Sequence, residues 1–352
     1  DHPELCQDCQ NDDLGAEMRV LVYDPAASRS GALSILQQYH ARFSQFPEPD
    51  CTYFFVVSTP ELTENEHVRV LRFPWVKRSW LHRLFFDFFY APGLIGKYHI
   101  DKVFSLQNIL MPRAGVPQEL YLQQCLPFVP QRFSFWQNKR LWVTQHLLGP
   151  WILRSVRRAV KVVVQTEWIK QACMEKCQAA GDKFQIEPPG VEQKMIRQYR
   201  SSDESLRTFF YPALPQIYKD HAAILKACAL LAQKGIMDYR VLFTFKGDEN
   251  PLAVRLKKEA EAQHLPIEFC GRLPKKRVFE LYAESTLLFP SFLETFGMPL
   301  LEARQSQSPV LAADTPFARE ILSCYTAGKL FPVSDAEALA GAMRNILSKG
   351  GE

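Results

Sequence analysis

Apolar positions in residues 18–180 cluster into short runs set between longer stretches with helical spacing. Residues 19–23, 52–57, 68–73, 102–105, 119–122 and 161–165 are rich in β-branched and aromatic residues and read as strands. Residues 31–43 read as a helix behind a Ser-Arg-Ser-Gly turn, and residues 167–180 as an amphipathic helix ended by Gly181. The pattern loosens over residues 193–206, which are polar and charged and read as a connection between domains. A second alternating series follows. Strands are predicted at 206–211, 240–244, 267–270, 286–290 and 310–313, and helices at 221–234, 252–264, 275–284, 298–305, 316–322 and 335–349. Strands alternating with helices predict parallel, doubly wound sheets, here two of them, with ligands at the carboxyl ends of the strands. The expected fold is therefore α/β, with two Rossmann-like domains and a cleft between them. The expected boundaries are 18–205 for the first domain and 206–335 for the second, with residues 336–352 as a C-terminal helix.

Composition adds limits. The 352 residues are 47% hydrophobic and 23% charged, enough apolar content for two cores, which excludes disorder as the main state. Nine cysteines at scattered spacing form neither a disulfide framework nor a zinc array; Cys6 and Cys9 lack a second pair. They read as reduced thiols, and a cytoplasmic location is expected, with the inner face of the cytoplasmic membrane as a variant of it. No apolar run reaches about 18 residues, so no membrane span is expected. Net charge is +4, too small to argue for nucleic acid. Its distribution says more. Residues 1–17 carry six acids and no Lys or Arg, and read as an added tag or linker; residues 18–205 sum to +8, and residues 206–352 to +2.

The segment richest in chemistry is Leu287-Leu-Phe-Pro-Ser-Phe-Leu-Glu-Thr-Phe-Gly-Met-Pro-Leu-Leu-Glu-Ala303. A buried strand leads to a loop with Glu294, then Gly297, then a helix with Glu302. Gly297 allows close backbone approach, and Pro299 suits a first helical turn, where its missing N–H is not needed. Free N–H groups at such a helix start suit a pyrophosphate. The two carboxylates suit hydroxyls of a sugar and of a ribose, so the segment predicts a nucleotide-sugar site. Two glutamates eight apart also arise by chance; the strand, the Phe-Gly pair and the surrounding alternation are what favour the functional reading.

Ser291-Phe-Leu-Glu-Thr-Phe-Gly-Met-Pro-Leu-Leu-Glu302 resembles the Glu-x7-Glu signature of retaining glycosyltransferases of family 4, which have the GT-B fold. Residues 206–226 resemble the strand–loop–helix opening that family's donor domain, with Lys219 at its phosphate-binding lysine. Phe269-Cys-Gly-Arg-Leu273, Val310-Leu-Ala-Ala-Asp314 with Glu320, Ser30-Gly-Ala-Leu-Ser-Ile35 and Val162-Val-Val-Gln-Thr-Glu-Trp168 match further family segments. The resemblance covers nearly all of residues 18–350, is strongest over 206–325, and is closest in character to enzymes of bacterial capsule and O-antigen assembly. It implies that Glu294 binds the donor sugar beside the anomeric carbon and that Glu302 grips the ribose. It places Lys219 on the leaving diphosphate, with Gly31, Arg272, Phe296, Gly297, Met298, Leu300 and Leu301 in the donor site. It implies no bound metal and no cofactor, the substrate being a UDP- or GDP-sugar. Two departures stand out. Ala213 and Gln216 occupy positions where relatives often carry an Arg beside the lysine. Tyr121-Leu-Gln-Gln-Cys-Leu-Pro-Phe128 places Gln123 at the family's histidine position, and Gln hydrogen-bonds but cannot titrate.

Residues 72–99 and 128–161 interleave aromatics with Arg and Lys, among them Trp80, Phe85, Phe89, Trp136 and Trp151 with Arg83, Arg154 and Arg158. Two readings stand: packed helices with snorkelling basic residues, or a surface resting on an anionic bilayer. The function implied is transfer of a sugar from a nucleotide-sugar to a glycan or lipid-linked glycan acceptor in surface polysaccharide synthesis, with possible peripheral membrane contact. The alternatives are a degenerate transferase kept as a binding or scaffold subunit and a nucleotide-sugar epimerase.

Overall fold

The computed structural model describes residues 17–28 and 30–351. The acidic segment 1–16, with Cys6 and Cys9, lies outside the described residues. By its contacts the chain divides into two compact units, Asp1–Val164 with Cys173–Gln185, and Gln165–Ala172 with Ile186–Glu352. The helix Glu167–Cys177 is shared between them.

The first unit is built on β1 (Met18–Asp24), β2 (Cys51–Val57), β3 (Val68–Arg72), β4 (Lys102–Ser105), β5 (Gln118–Tyr121), β6 (Lys161–Val164) and β7 (Phe184–Ile186). These form one sheet in the order β3-β2-β1-β4-β5-β6-β7, with parallel pairing from β3 through β6. β1 and β2 are buried almost end to end, as expected of strands covered on both faces. Apolar clusters lie on the two faces, one around Val22, Leu36, Phe43 and Phe55, the other around Leu21, Tyr23, Phe86 and Val103.

The second unit carries β8 (Thr208–Tyr211), β9 (Arg240–Phe243), β10 (Ile267–Phe269), β11 (Thr286–Phe289), β12 (Val310–Ala313) and β13 (Gly328–Phe331). Their order is β10-β9-β8-β11-β12-β13, every pair parallel. This doubly wound order reverses direction between β8 and β11, where ligands of such sheets collect. Phe209, Phe243, Leu288, Leu300 and Met343 belong to the unit's single core. The stretch read as an interdomain connection packs on this unit: the N–H groups of Tyr199 and Arg200 donate to the carbonyls of Ser306 (2.7 Å) and Ala283 (3.0 Å).

The predicted strands and helices are found, most within a few residues of their expected ends. β7 and β13 were not expected. Both are short edge strands that bury only one residue each, Phe184 and Phe331, so neither makes the continuous apolar run that marks a central strand. The basic aromatic stretches form two helical runs. The first comprises Trp80–Phe85, a π-helical turn Phe86–Tyr90 and Ala91–Lys97. The second comprises Lys139–Val143, a π-helical turn Thr144–Leu148 and Gly149–Arg158. Their aromatics divide between core and solvent. Phe86 is buried and stacks on Tyr23 (6.4 Å), whereas Trp80 and Phe89 are 69% and 64% exposed. Asp87 sits between the Tyr23 hydroxyl and Arg83, whose Nε lies 2.7 Å from its carboxylate.

Candidate active site

Two loops meet at the carboxyl ends of β8 and β11. The loop after β8, with Pro212 and Pro215, ends in a tight turn, Ile217–Lys219, followed by Asp220 in the left-handed region at φ 49°. Asp220 caps the helix His221–Gln233 by accepting from the N–H of Ala223 (3.3 Å), and its other oxygen accepts from the Ser334 hydroxyl (2.6 Å). The loop after β11 is stitched to this turn. The N–H of Phe292 (3.0 Å) and the hydroxyl of Ser291 (3.2 Å) both donate to the Tyr218 carbonyl. The buried Tyr211 hydroxyl, in turn, donates to the Lys219 carbonyl (2.8 Å).

This stitching places Lys219 Nζ on Glu294 Oε1 in a direct ion pair, with both side chains less than one-fifth exposed. Ser291 donates to the same carboxylate oxygen at 2.8 Å. An ammonium and a carboxylate held in a partly desolvated corner are the two charges needed to receive a phosphate on one side and a hydroxylated ring on the other.

Gly297 follows at φ 92° and caps the helix Met298–Gln305. A Cβ there would stand 3.3 Å from Leu300 Cδ1, 3.5 Å from Phe317 and 3.6 Å from Phe289, so both backbone and space select glycine. Phe296 and Leu300 are buried in the core, which leaves only their backbone for a ligand, and the Leu300 N–H is already given to the Gly297 carbonyl (2.9 Å). Met298 and Leu301 are partly buried. Glu302, one turn on, accepts from the Tyr282 hydroxyl at 2.8 Å. Burial pushes its carboxyl above the usual range, while the Tyr282 hydrogen bond and Lys275 pull the other way. Arg272 is exposed on the loop after β10. Buried His221 donates from Nε2 to the Ala213 carbonyl (3.2 Å), and desolvation lowers its pKa to about 3, so it is neutral at physiological pH.

The family of glycosyl transferases group 1 matches residues 192–352. The match spans β8 to β13 and so includes Lys219, Glu294, Gly297 and Glu302. The chain is 30% identical over 261 residues to a phosphatidyl-myo-inositol mannosyltransferase of Mycolicibacterium smegmatis, covering 72% of this chain and 64% of that protein. It is 27% identical over 124 residues to the O-antigen chain mannosyltransferase B of Escherichia coli, covering 35% and 32%. The matches thus span less than two thirds of either relative. Among solved structures, the sucrose-phosphate synthase of Thermosynechococcus elongatus is similar at a TM-score of 0.71 and 16% identity, covering 96% of this chain and 91% of that one. Anabaena HepE in complex with UDP and glucose is similar at 0.65 and 16%, covering 95% and 91%. Each unit has the doubly wound form of the GT-B glycosyltransferases.

Of the residues singled out in the sequence, the group 1 domain brings together Lys219, Glu294 and Gly297, with Glu302 on the following helix. Gln123 and Gly31 belong to the first unit. Gln123 follows β5; its N–H donates to Asn108 (2.5 Å) and its side-chain amide to the Leu106 carbonyl (3.1 Å). Gly31 stands in the first turn of the helix Ser30–Gln45, and an added Cβ would meet nothing within 4 Å. The structure adds three residues with no chemical role in the sequence reading. Thr166 and Trp168 both donate to the Thr295 carbonyl at 3.2 Å, directly beside Glu294. Glu320 accepts the first N–H groups of the helix Glu167–Cys177, from Glu167 at 2.8 Å and Trp168 at 3.0 Å. Their segments were recognised, but a bond between positions more than 120 apart leaves no local pattern. Among the described residues, no group of three His, Cys, Asp or Glu is placed to hold a metal.

Proposed function

We propose that the protein transfers a sugar from a nucleotide-sugar to a glycan acceptor in polysaccharide synthesis, with the donor on the second unit. The observation that carries this reading is the Lys219–Glu294 pair at the reversal point of a doubly wound sheet, inside the group 1 domain. In this mechanism the donor diphosphate takes Lys219 as its counter-charge, and a compact ammonium neutralises charge as the phosphate leaves. Glu294, freed from the lysine and held by Ser291, accepts hydroxyls of the sugar beside the anomeric carbon. Glu302, held by Tyr282, accepts from the ribose. Backbone N–H groups at the start of Met298–Gln305 face the phosphates, and Arg272 adds charge from the loop after β10. Transfer with retention of configuration follows from the family resemblance of these residues. The acceptor is proposed to be lipid-linked, since the two mannosyltransferase relatives carry phosphatidyl-myo-inositol and O-antigen chain in their names. No helix among the described residues is long and apolar enough to cross a membrane, so contact with lipid would be peripheral.

Thermal stabilisation by UDP or GDP, followed by donor hydrolysis with UDP- and GDP-sugars, tests the proposal. Lys219→Met should lower turnover by about 10²–10³-fold, in line with loss of one transition-state charge contact, and Glu294→Gln should do likewise. Nucleotide binding without turnover would instead make the chain a scaffold. Unchanged activity in both variants would remove the assigned site.

A further inference from the structure

A cavity lies in the first unit, at the opposite end of the sheet from Gln123. It has a volume of about 510 Å³, within the range of small-ligand sites. Its walls come from the loop between β4 and β5, where Gln118 opens β5, and from the helix Gly149–Arg158, which leads into β6. The loop and helix are fastened together: the N–H of Leu110 donates to buried Ser155 (3.0 Å), and Gln118 exchanges two 2.9 Å bonds with the Met111 backbone. Three arginines line the cavity, Arg113, Arg154 and Arg158, and no acid does. Arg154 and Arg158 are one turn apart on the helix, on the face that also carries Trp151. Among the described residues, none of the three forms an ion pair or a hydrogen bond.

The cavity opens beside the exposed aromatic face. Trp151, half-exposed, lines the cavity and meets Phe88 edge to face at 6.4 Å. The Arg113 guanidinium lies 5.5 Å from the centre of the Phe89 ring. Phe89, Phe85, Trp80 and Leu81 are all more than half exposed. Arginines without an ion-pair partner in a recess therefore sit next to aromatic side chains that are largely open to solvent. A free metabolite would have use for the recess alone. A bilayer would have use for both, with phosphate in the recess and the glycerol and acyl region against the rings.

We infer that the Arg113–Arg154–Arg158 cavity holds the phosphate of an anionic phospholipid, anchoring the first unit to a membrane through a headgroup bound away from the carboxyl ends of the sheet. Planar guanidinium groups fork onto phosphate oxygens, which lysines cannot reproduce. The inference builds on the proposal of a lipid-linked acceptor only in its choice of a membrane, and its test uses neither donor nor turnover.

The full chain is mixed with vesicles of phosphatidylcholine alone or of phosphatidylcholine with phosphatidylglycerol, and binding is measured by sedimentation at low ionic strength. The wild type should prefer the anionic vesicles. R113Q/R154Q/R158Q should lose at least ~10-fold in that binding, given roughly fivefold per basic residue at such a surface. R113K/R154K/R158K keeps the charge and should still bind several-fold more weakly than the wild type. Binding by the lysine variant equal to wild type would mean diffuse attraction without a headgroup site and would overturn the inference. Equal binding of the glutamine variant would do the same. Release of the wild type from anionic vesicles by millimolar inorganic phosphate would assign the cavity to a free phosphate compound and overturn the lipid assignment.

Discussion

Asp24 shows how much of a residue's behaviour is set by its position at a strand end. It closes β1, is fully buried, and accepts from the N–H of Ala27 at 3.1 Å through one oxygen, while the other has no hydrogen-bond partner among the described residues. The geometry is that of a turn cap. Burial raises its pKa from 3.8 to about 6, against the pull of Ala27, Arg83 and Lys77. Because the folded value lies above the unfolded one, the native state holds the proton more tightly. The contribution of Asp24 to stability is then greatest at low pH and declines as pH rises from about 4 to 6, by roughly 3 kcal/mol for a shift of this size. Asp24→Asn should abolish that decline, so its stability relative to wild type rises between pH 4 and pH 7 in urea titrations. A difference that stays flat with pH would show that Asp24 is not ionising in the buried site. His221 works in the opposite sense: its pKa is lowered from 6.5 to about 3, so the stability of its neutral form is lost as pH falls below 6.5. That contribution is common to both proteins and cancels in the comparison.

At the scale of elements, the candidate site was legible where its parts lie within one strand–loop–helix. Glu294, Gly297 and Glu302 all fall on the loop and helix that directly follow β11, so their relation is written in the local order of residues. Lys219 was reached by the same route, from the loop after β8. The support for these residues is different in kind. Thr295 is held by Thr166 and Trp168 at the start of a helix capped by Glu320, and that pairing exists only once the chain has folded back. A carboxylate on two N–H groups at a helix start contributes about 0.5–2 kcal/mol. Glu320→Ala should therefore lower stability by about that amount. Trp168→Phe, which keeps the ring but removes the indole donor, should lower donor turnover more than it lowers stability, because it loosens the residue next to Glu294. Matching stability and activity losses in Trp168→Phe would reduce that contact to packing. The π-helical turn Phe86–Tyr90 was illegible for a related reason: it lies in a stretch where aromatics occupy nearly every position, so apolar spacing names no face.

For the whole molecule, each unit has its own sheet and its own core, and the charged groups assigned to the donor all lie on the second unit, while the uncharged Gln123 and Gly31 lie on the first. Alternating strands made both sheets readable in advance. The crossing segment Gln165–Ala172 was not readable, because it begins a helix that continues in the other unit and has no composition of its own. The net charge of +4 likewise hides residues 1–17 at −6, residues 18–205 at +8 and residues 206–352 at +2. If the nucleotide is held by Lys219 and Glu302, its binding energy is delivered to the second unit. A nucleotide at 100 times its dissociation constant stabilises the unit that binds it by about 2.7 kcal/mol, or roughly 100-fold in the exchange of amides released only by unfolding. In hydrogen exchange with saturating UDP or GDP, amides of β8 and β11 should slow by about that factor. Those of β1 and β2 should slow much less. Equal slowing in both sheets would mean that the units unfold as one or that the nucleotide contacts both, and would contradict a donor site confined to the second unit. No slowing with either nucleotide would contradict the donor site itself.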